Sequence, residues 1–177
     1  EITTRLVGSE MCIRDSNKPR YANLRGVGTD FVGDASGSDK RFSFSIPAPD
    51  SDTIHLFESA IDLLSYATLV KMNGGNWNRE HLVSLAGVYK PKEELQESSM
   101  PLALKRYLSE HPGIRKITLR LDNDAAGGRA AKALISMLSG RYEVSVQPPL
   151  CGKDYNDFLC MRLGLPTTHR KGKTAER

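Results

Sequence analysis

Cysteine is scarce in this sequence and badly spaced for cross-linking or metal work. The three present, Cys12, Cys151 and Cys160, form no CxxC pair, which excludes a zinc ribbon and a disulfide-stapled miniature fold. Long apolar runs are missing as well: nothing approaches the roughly 18 residues of a membrane span, and no leader segment is evident. The expectation is a cytoplasmic protein with reduced thiols and no membrane partner. A large charge excess is also absent. The net charge is +4 over 177 residues, too small to argue by itself for nucleic acid. There is no internal repeat and no P-loop of the form GxxxxGK[ST]. With 39% hydrophobic residues, the chain can build one core and not two.

The two ends stand apart from the rest. The chain starts at Glu1 rather than Met, and residues 6–16 resemble the conceptual translation of a sequencing adaptor. Residues 1–16 are therefore set aside from fold reasoning as a non-native segment, with the natural protein expected to continue upstream in different residues. Residues 166–177 form a basic tail, read as a disordered, solvated end; its 169–173 run is a weaker candidate for touching phosphate.

Residues 17–50 read as a β-and-turn lead-in. Strands are expected over 21–27 and 41–46, the second placing Phe42, Phe44 and Ile46 on one face. Between them, 33–41 reads as a hairpin or surface loop; its glycines, serines and basic end could alternatively cradle a phosphate.

From residue 52 to 165 strands and helices alternate. Strands are expected over 53–57, 81–85, 117–121 and 142–146. Helices are expected over 59–71, 101–110, a stretch running to Ser139, and 154–163. The apolar stripe of the first helix is Ala60, Leu63, Leu64, Ala67 and Val70; the third buries Ala130, Ala133, Leu134, Met137 and Leu138. Residues 90–99 are polar and read as a loop. Alternation at this spacing implies an α/β fold, a mostly parallel sheet with right-handed crossovers and helices on its faces. Arg120 is the exception, a cation in a strand that should be buried; a salt bridge to a nearby acid is the expected remedy.

The chemistry gathers at strand ends. Asp122 and Asp124 follow the 117–121 strand, and residues two apart in an extended chain point the same way. Glu58 follows the 53–57 strand. Lys153, Asp154, Asn156 and Asp157 follow the 142–146 strand. Parallel strands put their carboxyl ends on one edge, where α/β sheets bind ligands. Clustered carboxylates repel unless a cation joins them, and oxygen donors of this kind suit Mg²⁺ or Mn²⁺. Each acid also has a plainer explanation: Asp124 and Asp154 as helix N-caps, Glu58 as a favourable charge at a helix start, Lys153 and Asp157 as solvated loop.

Taken together, FESAIDLLS at 57–65, LDNDAAGGRAA at 121–131 and GKDYNDFL at 152–159 resemble the toprim domain shared by topoisomerases and bacterial primases. The resemblance is nearest to the primase-like toprim proteins of plasmids and conjugative elements, with NLRG at 23–26 and GSDKR at 37–41 similar to what precedes the domain there. One departure is Ser59, where many toprim domains carry glycine. The resemblance implies a Rossmann-like toprim fold over 52–165. It implies Glu58 as general acid/base or metal-proximal carboxylate, Asp122 and Asp124 as Mg²⁺ (or Mn²⁺) ligands, and Asp154 and Asp157 as further charge at the metal. Asp62 is less certain, since an exposed helix face accounts for it. Lys153, and more weakly Lys105, Arg129, Lys132 and Arg79, become candidate phosphate contacts, with ordinary solvated surface as the alternative for the last four. The implied partners are single-stranded or duplex DNA, nucleotides, and replication or mobilisation proteins of a mobile element. Three activities stay open: primer synthesis by nucleotidyl transfer, metal-dependent strand cleavage, and nucleic-acid binding without catalysis. No tyrosine stands out as a topoisomerase nucleophile.

Overall fold

The computed structural model describes residues 20–26, 31–87, 89 and 99–167. The 1–16 segment, the tail beyond 167 and nearly all of the 90–99 loop lie outside them. The elements are β1 (Asn23–Arg25), β2 (Val32–Asp34), a single 3₁₀ turn (Lys40–Phe42), β3 (Ser45–Ile46), β4 (Thr53–Phe57), α1 (Ala60–Met72), β5 (His81–Ser84), α2 (Leu102–Glu110), β6 (Lys116–Leu119), α3 (Ala125–Leu138), β7 (Glu143–Val146) and α4 (Tyr155–Arg162). β1 and β2 make a small antiparallel pair. The main sheet runs β3-β5-β4-β6-β7; β5, β4, β6 and β7 are parallel, and β3 joins antiparallel at the rim. This is the α/β fold expected: a mostly parallel, helix-flanked sheet after a small β segment.

β4, β5 and β6 are buried along nearly their whole length because both faces of the sheet are covered there, whereas β7 at the rim is mostly exposed. Ile54, Leu56, Ile117 and Leu119, all fully buried, pack with Leu104 and Leu108 of α2 and Leu134 and Leu138 of α3. The opposite face carries Phe57 and Leu82 against Leu63, Ala67 and Leu69 of α1 and Tyr155 of α4.

Three local expectations need correction. Residues 41–46 are not one strand. Asp39 accepts from the Arg41 backbone N–H at 3.0 Å and from the Arg41 guanidinium, which fixes a 3₁₀ turn over Lys40–Phe42 and leaves only Ser45 and Ile46 to pair. The hairpin partner of β1 is Val32–Asp34, which overlaps the start of the 33–41 stretch that the sequence offered as its loop. The buried face of α1 is also rotated from the apolar stripe: Asp62 and Ser65 are buried, while Leu64 is 46% exposed. The reason is α4, whose polar first turn packs there: the Asn156 N–H donates to Asp62 Oδ1 at 3.3 Å.

His81 shows how the lead-in is fastened. It is fully buried, and its Nδ1 accepts from the Ala48 N–H at 3.1 Å and the Tyr107 hydroxyl at 2.9 Å, while Nε2 donates to the Ser51 carbonyl at 3.2 Å. Burial holds the imidazole below its usual pKa, with the neighbouring His111 acting the same way. His81→Leu strands these partners and is expected to lower stability by about 2 kcal/mol, read as a fall in urea midpoint at pH 7; an unchanged midpoint would contradict this account.

Candidate functional site

The carboxyl ends of β4, β6 and β7 lie side by side, and their following residues meet. Glu58, only 5% exposed, comes straight off β4. Its Oε1 accepts the backbone N–H of Asp122 at 3.3 Å. Asp124 caps α3, accepting from Ala126 N–H and Gly127 N–H, both at 2.9 Å. Lys153, from the loop after β7, places its Nζ 3.3 Å from Asp122 Oδ2 and 3.4 Å from Asp124 Oδ2. The loop is tied in by its backbone too, the Asn123 N–H donating to the Lys153 carbonyl at 2.6 Å. Asp154 caps α4 through the Asp157 N–H at 2.7 Å. Asp124 and Asp154 are therefore both helix caps and members of the acidic edge; the two readings coincide.

Two expectations about exposure are overturned. Asp62 does not sit on an exposed helix face, and Asp157 is not solvated loop: they are 7% and 2% exposed. Asp62 accepts from the Ser59 hydroxyl at 2.5 Å, and Asp157 accepts from the Lys153 N–H at 3.4 Å. Ser59 itself replaces the glycine common in toprim domains without strain. Its backbone is extended, with φ −129°, and its side chain caps α1 through the Asp62 N–H. Lys105, Arg129, Lys132 and Arg79 are all exposed, on α2, α3, α3 and the loop before β5; nothing draws them into the cluster.

The electrostatics follow from crowding. Burial, then the charge of Asp122, pushes Glu58 up to about 7. Burial, then Asp62, pushes Asp122 up to about 6 against the pull of Lys153. Asp124 goes the other way, held low chiefly by the Gly127 N–H. Burial disfavours the Lys153 ammonium, but Asp122 and Asp124 outweigh it and raise its pKa. Among the described residues, no group of three or more His, Cys, Asp or Glu side chains stands ready to hold a metal ion. The donor set nonetheless fits a hard divalent cation: three carboxylates, two of them made reluctant to ionise, with an ammonium already bridging Asp122 and Asp124 where positive charge is wanted.

Two site features were not legible in the sequence. A fourth strand end, after β5, enters through the backbone: the Gly87 N–H donates to the Glu58 carbonyl at 2.8 Å, with Ala86 left-handed at φ 61°. Lys40 from the lead-in reaches across to the Ala86 carbonyl at 3.0 Å. Ala86 gave no signal, because only glycine or asparagine advertises a left-handed turn. Arg120 was visible as an oddity, but its partner was not an acid. Nε donates to His55 Nδ1 at 2.9 Å, Nη1 donates to the Tyr155 hydroxyl at 2.8 Å, and the guanidinium lies 4.2 Å over the Tyr66 ring. His55 bonds in turn to Glu80.

Comparison with known proteins adds the following. Residues 55–159 match the profile of a family described as Toprim-like. A "65 kDa protein" of Zymomonas mobilis subsp. mobilis is 28% identical over 178 aligned positions, covering 92% of this chain but 28% of the relative. The primase fragment of the bacteriophage T7 primase-helicase protein is similar in fold, with a TM-score of 0.50 at 14% identity, covering 83% of this chain and 54% of that fragment. The chain thus spans little more than a quarter of the first relative and about half of the second.

Proposed function

Because the chain belongs to the Toprim-like family, we propose that its acidic edge is a Mg²⁺- or Mn²⁺-dependent site for phosphodiester chemistry on nucleic acid, with primer synthesis by nucleotidyl transfer, in the replication of a mobile element, as the leading activity. The observation that carries this reading is the meeting of adjacent strand ends, with Glu58 bonded to the Asp122 backbone and Asp122 and Asp124 sharing one lysine. In this reading Asp122 and Asp124, with Glu58 and Asp154 beside them, hold the cation. A divalent ion bound there would neutralise charge developing on a phosphate and orient the attacking oxygen. Glu58, poised near neutral pH, takes up the proton of the attacking hydroxyl. Lys153 leaves its two aspartates for the phosphate. The backbone bond from Asp122 keeps Glu58 aimed at the same spot.

A second reading, nucleic-acid binding without catalysis, is favoured by one observation: the Lys153 ammonium already lies between Asp122 and Asp124. A metal titration separates the two. Mn²⁺ added to the chain, followed by paramagnetic relaxation, is expected to bind, and an Asp122→Asn/Asp124→Asn variant of verified fold is expected not to. Equal behaviour of the two proteins would remove the metal reading and favour the binding module. The lysine gives a further check. Lys153→Met deletes a competing cation and is expected to tighten Mn²⁺ binding by about tenfold; weakened binding would mean that the lysine assembles the ligands rather than competing for them.

A further inference from the structure

The loop that brings Lys153 and Asp154 to the site runs from the end of β7 to the start of α4, and its two ends are joined by one side chain. The Tyr155 hydroxyl donates to the Gln147 carbonyl at 2.9 Å. The same hydroxyl accepts from Arg120 Nη1 at 2.8 Å, and Arg120 is two residues before Asp122. Among the described residues no carboxylate lies within ion-pair reach of Arg120. The guanidinium is held instead by the His55 ring nitrogen and by the faces of Tyr66 and Tyr155, at 4.2 and 5.8 Å. A half-buried cation without a directly bonded anion is an expensive way to fill a core; methionine would pack there at lower cost. What the planar fork supplies, and an apolar side chain cannot, is direction: two donors fixed at an angle, one aimed at His55 on the central strand β4 and one at Tyr155 on the helix that ends the loop.

We infer that Arg120 is a positioning residue which, through the Tyr155 hydroxyl, clamps the 147–155 loop to β6 and so sets where the Lys153 ammonium stands relative to Asp122 and Asp124. The assignment of Lys153 to a working site rests on the function proposed above; the clamp itself does not. Tyr155→Phe deletes one oxygen and keeps the ring, its contacts with Phe57 and Tyr66 included. Arg120→Lys keeps the charge and loses the fork.

The test uses the whole chain with its lysines ¹³C-dimethylated, which preserves their charge, and the Lys153 signal identified by Lys153→Arg. In the natural chain without metal this signal should stand apart from those of exposed lysines. In both Tyr155→Phe and Arg120→Lys it should move toward them. If both variants lose thermal stability while the signal stays in place, the network is merely core and the inference is overturned. Mn²⁺ affinity gives the second arm. Tyr155→Phe should change it by about threefold in the natural background and not at all in Lys153→Met, because coupled residues do not add; full additivity overturns the clamp. A signal that moves in a chain that binds no Mn²⁺ supports the clamp and removes the metal reading, so the two failures are distinct.

Discussion

Glu58→Gln is expected to exceed the natural chain in stability by about 3 kcal/mol at pH 8, and by nothing at pH 4, when metal is chelated. Glu58 titrates at about 7 in the fold against its ordinary 4.5, through burial first and the Asp122 charge second. The folded chain therefore binds the Glu58 proton more tightly than the unfolded chain. Stability from this group is full below 4.5, declines as pH rises, and is lost above 7. Glutamine never ionises, and its carbonyl still accepts the Asp122 N–H. Urea denaturation in EDTA at the two pH values measures the difference, and a constant offset between natural chain and variant would refute the burial account. Millimolar Mg²⁺ should narrow the gap at pH 8 by stabilising the natural chain alone. In the function proposed above, the same substitution removes the proton acceptor, so stability and activity move in opposite directions, the pattern expected where function stores electrostatic strain.

The second large effect separates two adjacent glycines of α3. A Cβ on Gly127 would lie 2.1 Å from the Asp122 carbonyl oxygen and 2.9 Å from its carbon. These are backbone atoms that cannot swing aside. Gly127→Ala must push the first turn of α3 off β6, break the Asp124 cap and pull Asp122 from Glu58; a loss of about 3 kcal/mol or more is expected. A Cβ on Gly128 meets nothing within 4 Å, at an exposed helical position. Gly128→Ala should gain about 0.5–1 kcal/mol by helix propensity. Thermal denaturation of the two variants side by side decides the matter, and equal shifts would mean that the close approach of α3 to Asp122 is not a constraint.

The contrast between these glycines also marks how far a sequence can be read. The strand endings were plain in it. Each acid had a plainer meaning by itself, but three parallel strands ending in acids placed them on one edge, and Glu58, Asp122, Asp124 and Lys153 do converge. What failed was whatever depended on a partner distant in sequence. Asp62 was read on an exposed helix face because α4, whose first turn covers it, enters 94 residues later. Arg120 was given an acid because acids are the usual answer; its answer is a histidine from the neighbouring strand and two tyrosines from two helices. The 41–46 stretch alternates as a strand should, yet the single carboxylate of Asp39 bends its start into a turn, since a local side-chain bond outcompetes a ladder that has only two residues to offer.

That two-residue ladder, β3, has a consequence for solubility. Open sheet rims invite strands from other molecules, and long flat rims are where chains begin to aggregate. β3 occupies one rim of the main sheet and is too short to template a neighbour. β7 forms the other among the described residues; it starts at Glu143 and is followed closely by Pro148 and Pro149, which have no N–H to offer. Deleting the lead-in would uncover β5 in place of β3, and with it the rim bearing Leu82 and Val83. A shortened chain beginning at β4 would carry the whole acidic edge into a particle prone to stick to its own copies.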